Sequence, residues 1–228
     1  MAIPFEAGGL GDRLAAVDGA IADAAHAAGR DPRDVTRIVV TKFHPAELVR
    51  ELAALGVRDV GENRHQEAAV KAAELAGLEL NWHFIGQLQS NKAKAVRRYA
   101  RSVQSIDRAG LADALAGPSP LDVFIELNLT GDQGRGGVDP AALEPLAEHV
   151  LSTEGLVLRG VMAVAPRGEE PRAAFARVRA ASDALRRLAP DAAAISAGMS
   201  GDFREAILEG ATHLRIGTAI TGKRPTPG

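Results

Sequence analysis

The feature that most constrains this chain is a repeated alternation. Short apolar, β-branched runs alternate with longer segments of helical period along nearly all of its 228 residues. Strands are expected at residues 37–43, 57–60, 81–85, 102–106, 121–129, 156–164, 193–196 and 212–216. Helices are expected at 12–28, 45–55, 62–75, 92–99, 108–116, 140–151, 171–188 and 203–208. Such alternation implies parallel strands joined by crossover helices. Eight strands predict an α/β fold of the TIM (β/α)8-barrel type, compact beside the about 250 residues typical of that fold. An open doubly wound sheet uses the same alternation and is the rival; the strand count favours the barrel. The segment after the eighth strand, Thr221 to Gly228, is too short and too rich in Pro and Gly for a long helix. The extra N-terminal helix is therefore expected to cover that gap, or the barrel bottom. The expectation is a single domain over 1–228, with its core at about 36–222 and flexible tails at 1–8 and 223–228.

Composition narrows the function classes. The net charge is −2, which implies no bulk attraction to nucleic acid or an anionic membrane. The absence of cysteine excludes disulfides, thiolate metal sites and cysteine nucleophiles. Six histidines show no metal-ligand spacing, so no metal is expected. The first residues lack the basic start and apolar core of a secretory signal, and no segment is apolar and long enough to span a bilayer. A soluble, cytoplasmic protein is the expectation. No exposed apolar seam is evident, so a monomer is expected.

Active sites of barrels gather at the C-terminal ends of the strands. Those positions carry Thr41 and Lys42; Glu62 and Asn63; His83 and the run from Gly86 to Lys92; Glu126 and Asn128; Met162; residues 196–200; and Arg215, Gly217 and Thr218. Lys42 can condense with an aldehyde, and burial of an ammonium favours its neutral, nucleophilic form. Its bland alternative is a rim lysine whose head pairs with a carboxylate. The turns at Gly198-Met199-Ser200-Gly201 and Gly217-Thr218 can hold a phosphate on backbone N–H groups, as barrels do after strands seven and eight. Plain capping is the alternative: Asp202 and Glu205 have capping-box spacing, and both oppose a phosphate unless turned away. Arg215 makes either a rim ion pair or a contact to a pyridine nitrogen. In the second case the ring nitrogen stays unprotonated, because arginine keeps its proton. Asn63 can bond a ligand or cap the following helix, and Asn128 can bond a ligand. His83, on an apolar strand, reads as a satisfied core histidine. The basic stretch Lys92, Lys94, Arg97, Arg98 and Arg101 reads as a solvated helix face, with a second anion site as the alternative. Residues 131–137 read as a mobile cover that ends at a helix start, Asp139-Pro140.

Five stretches carry a family resemblance. They are Val40-Thr41-Lys42, Gly61-Glu62-Asn63-Arg64-His65-Gln66-Glu67, the run from Trp82 through His83-Phe84-Ile85-Gly86-Gln87-Leu88-Gln89-Ser90-Asn91 to Lys92, Gly198-Met199-Ser200, and Arg215-Ile216-Gly217-Thr218-Ala219-Ile220. Together they resemble the pyridoxal phosphate homeostasis proteins, single-domain barrels similar to the N-terminal domain of alanine racemase. The likeness runs from about Val39 to Gly222. It implies pyridoxal 5′-phosphate as cofactor, held as an internal aldimine on Lys42. It implies phosphate contacts from Ser200, Gly217 and Thr218, Arg215 near the pyridine nitrogen, and Asn63, Ser196 and Met199 around the cofactor. It implies a carrier that buffers and delivers the cofactor, to apoenzymes that depend on it, and influences amino-acid and keto-acid pools without an assigned turnover or catalytic residue. Gln87 stands where histidine or proline is common, and Thr221 where an aromatic residue is usual; both put only the rim in doubt.

The alternative is a racemase of the alanine racemase type. Two-base racemisation needs a second acid/base on the opposite ring face, a tyrosine from another domain in those enzymes. This sequence has one tyrosine, Tyr99, expected in the basic helix, and it stops where a second domain would begin. A third reading, a Schiff-base lyase, needs an acid/base beside Lys42; Glu62, Glu126 and His83 are the candidates.

Overall fold

The structure is a computed structural model that describes residues 8–132 and 134–223. Eight strands, β1 Thr36–Val40, β2 Asp59–Glu62, β3 Asn81–Phe84, β4 Ala100–Ile106, β5 Leu121–Leu127, β6 Leu156–Ala163, β7 Ala194–Ser196 and β8 His213–Ile216, pair in parallel in sequence order. β8 returns to β1, with register from Thr36↔His213 to Val39↔Ile216, and closes the barrel. Among the described residues the helices are α1 Leu10–Ala27, α2 Ala46–Ala54, α3 His65–Glu74, α4 Ala93–Arg97, α5 Ala109–Leu115, α6 Leu143–Ser152, α7 Pro171–Leu188, α8 Phe203–Leu208 and α9 Thr218–Thr221. The barrel expected from the alternation is thus the fold. The open sheet is not.

Differences from the sequence reading concentrate at the strand exits. β1 stops at Val40 rather than 43, because Phe43 takes φ 69 and turns the chain. The third helix starts at His65 rather than 62, because Glu62 ends β2 with its carboxylate engaged by Lys71 and Thr41. A one-turn helix, α9, follows β8 where none was expected. α1 fills the rest of the gap, packing on α8 and α9. Arg13 Nε donates to Ile220 O at 2.7 Å, and Asp18 pairs with Arg37 of β1 at 2.5 Å. Val17, Ile21 and Ala24 recur at helical spacing and are buried on that face. Full burial of a side chain such as Val17 or Ile21 contributes about 1.5–3 kcal/mol.

The strand faces divide the interior in two. Val39, Val60, Trp82, Phe84, Val103, Val123, Ile125, Val161, Ile195, Leu214 and Ile216 join the helices in one apolar cluster. The opposite strand faces include buried His83, Ser102, Gln104, Ser196 and Arg215 beside Ile38, Phe124 and Met162. A barrel interior is ordinarily filled by branched apolar residues, so this one is unusually polar. The tails expected to be flexible lie outside the described residues except for Gly8 and Lys223. Among the described residues no helix is long and apolar enough to cross a membrane.

Candidate functional site

Parallel strands put all eight exits on one rim, and closure brings the first exit to the last. A Cβ built on Gly217 would lie 3.7 Å from the Cβ of Val40, so the turn after β8 sits against the end of β1, two residues before Lys42. Lys42 is half-buried. Among the described residues no carboxylate forms an ion pair with it, against the bland rim reading; its ammonium lies 6.0 Å from the Phe43 ring centroid.

The Lys42 turn is held from outside the barrel. Thr41 Oγ1 donates to Glu62 Oε1 at 2.7 Å. Lys71 Nζ donates to the same Glu62 oxygen at 2.6 Å and to the Thr41 carbonyl at 2.8 Å. Burial pushes the Glu62 carboxyl up, and the ion pair with Lys71 opposes that shift. Phe43 occupies the left-handed region at φ 69, which costs a non-glycine residue about 1–2 kcal/mol. Its N–H is accepted by Glu67 Oε2 at 3.1 Å, and the Arg64 guanidinium lies 5.1 Å from its ring centroid.

The two late turns are joined. The loop after β7 continues beside β8, with Ala197 N–H to His213 O and Arg215 N–H to Gly198 O, each 3.0 Å. Gly198 has φ +92, and a Cβ there would come within 2.7 Å of Ala206 Cβ, so only glycine fits without a shift. Ser200 Oγ accepts the Ala219 N–H at 3.3 Å, which ties this loop to α9. The capping box offered as the alternative is absent: Asp202 makes no side-chain cap bond to α8 and instead accepts the Met199 N–H at 2.6 Å. Its carboxyl is raised by burial. Met199 itself is exposed on the turn, as is Thr218 on α9.

Asn63 does not cap α3, whose N-cap is Arg64. Its Oδ1 is buried and has no hydrogen-bond partner among the described residues. The Asn63 backbone is crossed so closely by Gly86 that a Cβ there would meet Asn63 O at 2.2 Å. An acceptor held rigidly without a donor is the kind of atom a ligand satisfies.

Below the rim lies a chain of polar contacts. Arg215 donates to Ser196 Oγ at 2.6 Å and to Ala163 O at 2.8 Å. Ser196 Oγ donates to Gln104 Oε1 at 2.7 Å, and Gln104 Nε2 lies 3.5 Å from His83 Nδ1. His83 Nδ1 meets Ser102 Oγ at 2.7 Å and its Nε2 meets Asp59 Oδ1 at 2.9 Å. His83 is thus the satisfied core histidine expected of it. Burial lowers Arg215 to about 10, against the charges of Glu126 and Asp202. Burial and the Asp107 charge raise Glu126 to about 7. Burial lowers His213, which meets Phe124 edge to face at 5.2 Å, to about 4.

Other candidates are occupied elsewhere. Asn128 Nδ2 donates to Asp132 O at 2.8 Å, and its Oδ1 accepts from Thr130, so it folds the following loop. That loop does end where Asp139 caps a helical turn, accepting from Ala141 N at 2.8 Å. Tyr99 lies just beyond α4 and stacks on His65 of α3 at 5.9 Å. In the basic stretch, Arg97 donates to Leu115 O and Arg101 pairs with Asp122.

Three residues received no role in the sequence reading: Glu67, which closes one of the family stretches, Lys71 and Gln104. Gln104 had a signal, since Ser102 and Gln104 put polar side chains at period two in a strand that a parallel barrel would make continuously apolar. Glu67 and Lys71, spaced i and i+4 on a helix, look like any solvated pair.

A half-buried amine without a carboxylate, a donorless amide oxygen, two linked turns and a buried guanidinium suit a phosphorylated carbonyl compound. The comparisons agree with that chemistry. The chain matches the family model described as alanine racemase, N-terminal domain, over residues 24–225. It is 45% identical over 224 residues to the pyridoxal phosphate homeostasis protein of Pseudomonas aeruginosa, covering 94% of this chain and 96% of that one. The chain belongs to the pyridoxal phosphate homeostasis protein family. Among solved structures of similar fold is PipY of Synechococcus elongatus with PLP bound, at TM-score 0.82 and 35% identity, over 94% of this chain and all of that one. The alanine racemase of Corynebacterium glutamicum is similar in fold alone, with TM-score 0.69 and 19% identity, over 94% of this chain and 62% of that enzyme. Family membership and the closed barrel agree with each other and with the resemblance read from the motifs.

Proposed function

We propose that this chain binds pyridoxal 5′-phosphate and acts as a carrier that buffers and delivers it, without catalytic turnover. The supporting observation is the seat of Gly217 against Val40, which puts the Lys42 turn and the two linked late turns on one rim although about 175 residues separate them. The cofactor supplies an electrophilic aldehyde to which an amine can add. In this reading Lys42 captures that carbon. Ser200, Gly217 and Thr218 hold the phosphate, Arg215 faces the pyridine nitrogen, and Asn63, Ser196 and Met199 line the site. Asn63 supports its part through its unpartnered Oδ1, and Arg215 through its fixed position on Ser196 and Ala163. We also propose one domain with its core at residues 36–222, acting in the cytoplasm as a monomer, with PLP-dependent apoenzymes as recipients. The racemase reading is weaker because Tyr99, the one tyrosine, is stacked on His65.

Borohydride reduction followed by peptide mass mapping tests the assignment. The expected result is a pyridoxyl adduct on the peptide that contains Lys42. No adduct, or one on another lysine, refutes it. In Lys42→Ala the visible absorption band of the adduct disappears while far-ultraviolet circular dichroism is unchanged; a retained band counts against Lys42.

A further inference from the structure

We infer that helix α3 clamps the loop bearing Lys42, with Glu67 and Lys71 as positioning residues for covalent capture of the cofactor. This rests on the reading of Lys42 given above.

The two peptide groups flanking Lys42 are each held by α3. The carbonyl of the Thr41–Lys42 peptide accepts from Lys71 Nζ at 2.8 Å, and also from the His44 N–H at 3.1 Å. The N–H of the Lys42–Phe43 peptide donates to Glu67 Oε2 at 3.1 Å. Glu67 and Lys71 are four residues apart on α3, one turn of helix, so both side chains leave the same face and reach successive peptides of one loop. Glu62 completes the arrangement from the end of β2. It accepts from both Lys71 and Thr41 through one oxygen, Oε1, and so fixes the ammonium that holds the loop.

Stability alone does not account for these groups. The Lys71 and Glu62 side chains are only 8% and 1% exposed. Burying such a pair costs desolvation that its attraction barely offsets, and apolar residues of similar volume often serve stability as well. What an ion pair with two further hydrogen bonds adds is direction. Phe43 is held in the left-handed region immediately after Lys42, a conformation that persists only where the surroundings enforce it. Orientation matters most to a step that joins two atoms, where a displacement of about 1 Å can cost about a hundredfold. Phosphate binding at the late turns, which involves other elements, needs no such alignment from β1.

The clamp therefore predicts a split between two ligands. Pyridoxal phosphate reports capture by Lys42. 4-Deoxypyridoxine phosphate, which lacks the aldehyde, reports the rest of the site. In Lys71→Met and Glu67→Ala the equilibrium constant for the adduct should fall about tenfold or more, while affinity for the deoxy analogue stays within about twofold of wild type. Glu67→Gln keeps an acceptor for the Phe43 N–H and should recover most of the loss. If Lys71→Met does not fold, the comparison of Glu67→Ala with Glu67→Gln decides alone, since Glu67 is partly exposed. A wild-type adduct constant in Glu67→Ala and in any folded Lys71→Met, or parallel losses for both ligands, overturns the clamp and leaves the carrier reading intact. A wild-type protein that forms no adduct on Lys42 overturns both.

Discussion

Replacing Gly198 by alanine tests how the late turns are built. Gly198 has φ +92, and the new methyl would lie 2.7 Å from Ala206 Cβ and 3.0 Å from Phe203 Cα. The left-handed conformation costs alanine about 1–2 kcal/mol. Overpacking against a helix that can move only with its backbone adds about 1–3 kcal/mol. The stiffer unfolded chain returns about 1 kcal/mol, leaving a net loss of about 1–4 kcal/mol. For a chain of this size that is a fall in melting temperature of roughly 2–16 °C. Thermal unfolding of the protein without cofactor, followed by circular dichroism, measures it. Gly201→Ala is the internal control, because nothing lies within 4 Å of its built Cβ and its φ is not in the left-handed region. Its melting temperature should match wild type or rise slightly. The turn also carries the bond from Arg215 N–H to Gly198 O and leads to Ser200, so Gly198→Ala should weaken binding of the deoxy analogue as well. A Gly198→Ala protein that melts within about 1 °C of wild type would refute the close approach to α8.

Two titrations shifted by desolvation have opposite signs. Glu126 rises from 4.5 to about 7 on folding, so it takes stability away as pH climbs from 4.5 to 7, by about 3 kcal/mol across the window. His213 falls from 6.5 to about 4, so it takes stability away as pH drops from 6.5 to 4, by a similar amount. Relative to wild type, Glu126→Gln should therefore gain stability as pH rises through its window, and His213→Gln should gain as pH falls through its own. Urea unfolding at pH 4.5, 5.5 and 7 reads both slopes, and curves that stay parallel to wild type would rule the shifts out. Separately, purified protein free of contaminating racemase should not interconvert the enantiomers of alanine. Robust turnover in such a preparation would displace the carrier reading.

Much of the fold was legible because crossover helices force parallel strands, and both leave strong periodic signals. The helices at Pro171–Leu188 and Phe203–Leu208 have the bounds expected from pattern alone. The strand exits were less legible. A left-handed Phe43, a strand that runs on to Glu62 and an Asp202 that bonds Met199 instead of capping α8 are settled by tertiary partners rather than by propensity. The motif residues of the site could be listed in advance, but the roles of the residues behind Lys42 could not. Glu67 and Lys71 carry no local mark of their role, and Gln104 shows only as a polar residue out of place.

Order along the chain determined that eight parallel strands point every exit the same way, so that Lys42 and Gly217 lie at strand exits of the same end; the pairing of β8 with β1 then closed the ring and brought the two together. Folding alone decided which side chains near the strand exits are left without a partner. Among the described residues Lys42 has no carboxylate partner and Asn63 Oδ1 has no donor, whereas Glu62, Asn128, His83 and Tyr99 are engaged. The physical reason is that pairing depends on angstrom-scale distances between elements far apart in sequence, and residue spacing along one strand or helix does not encode those distances.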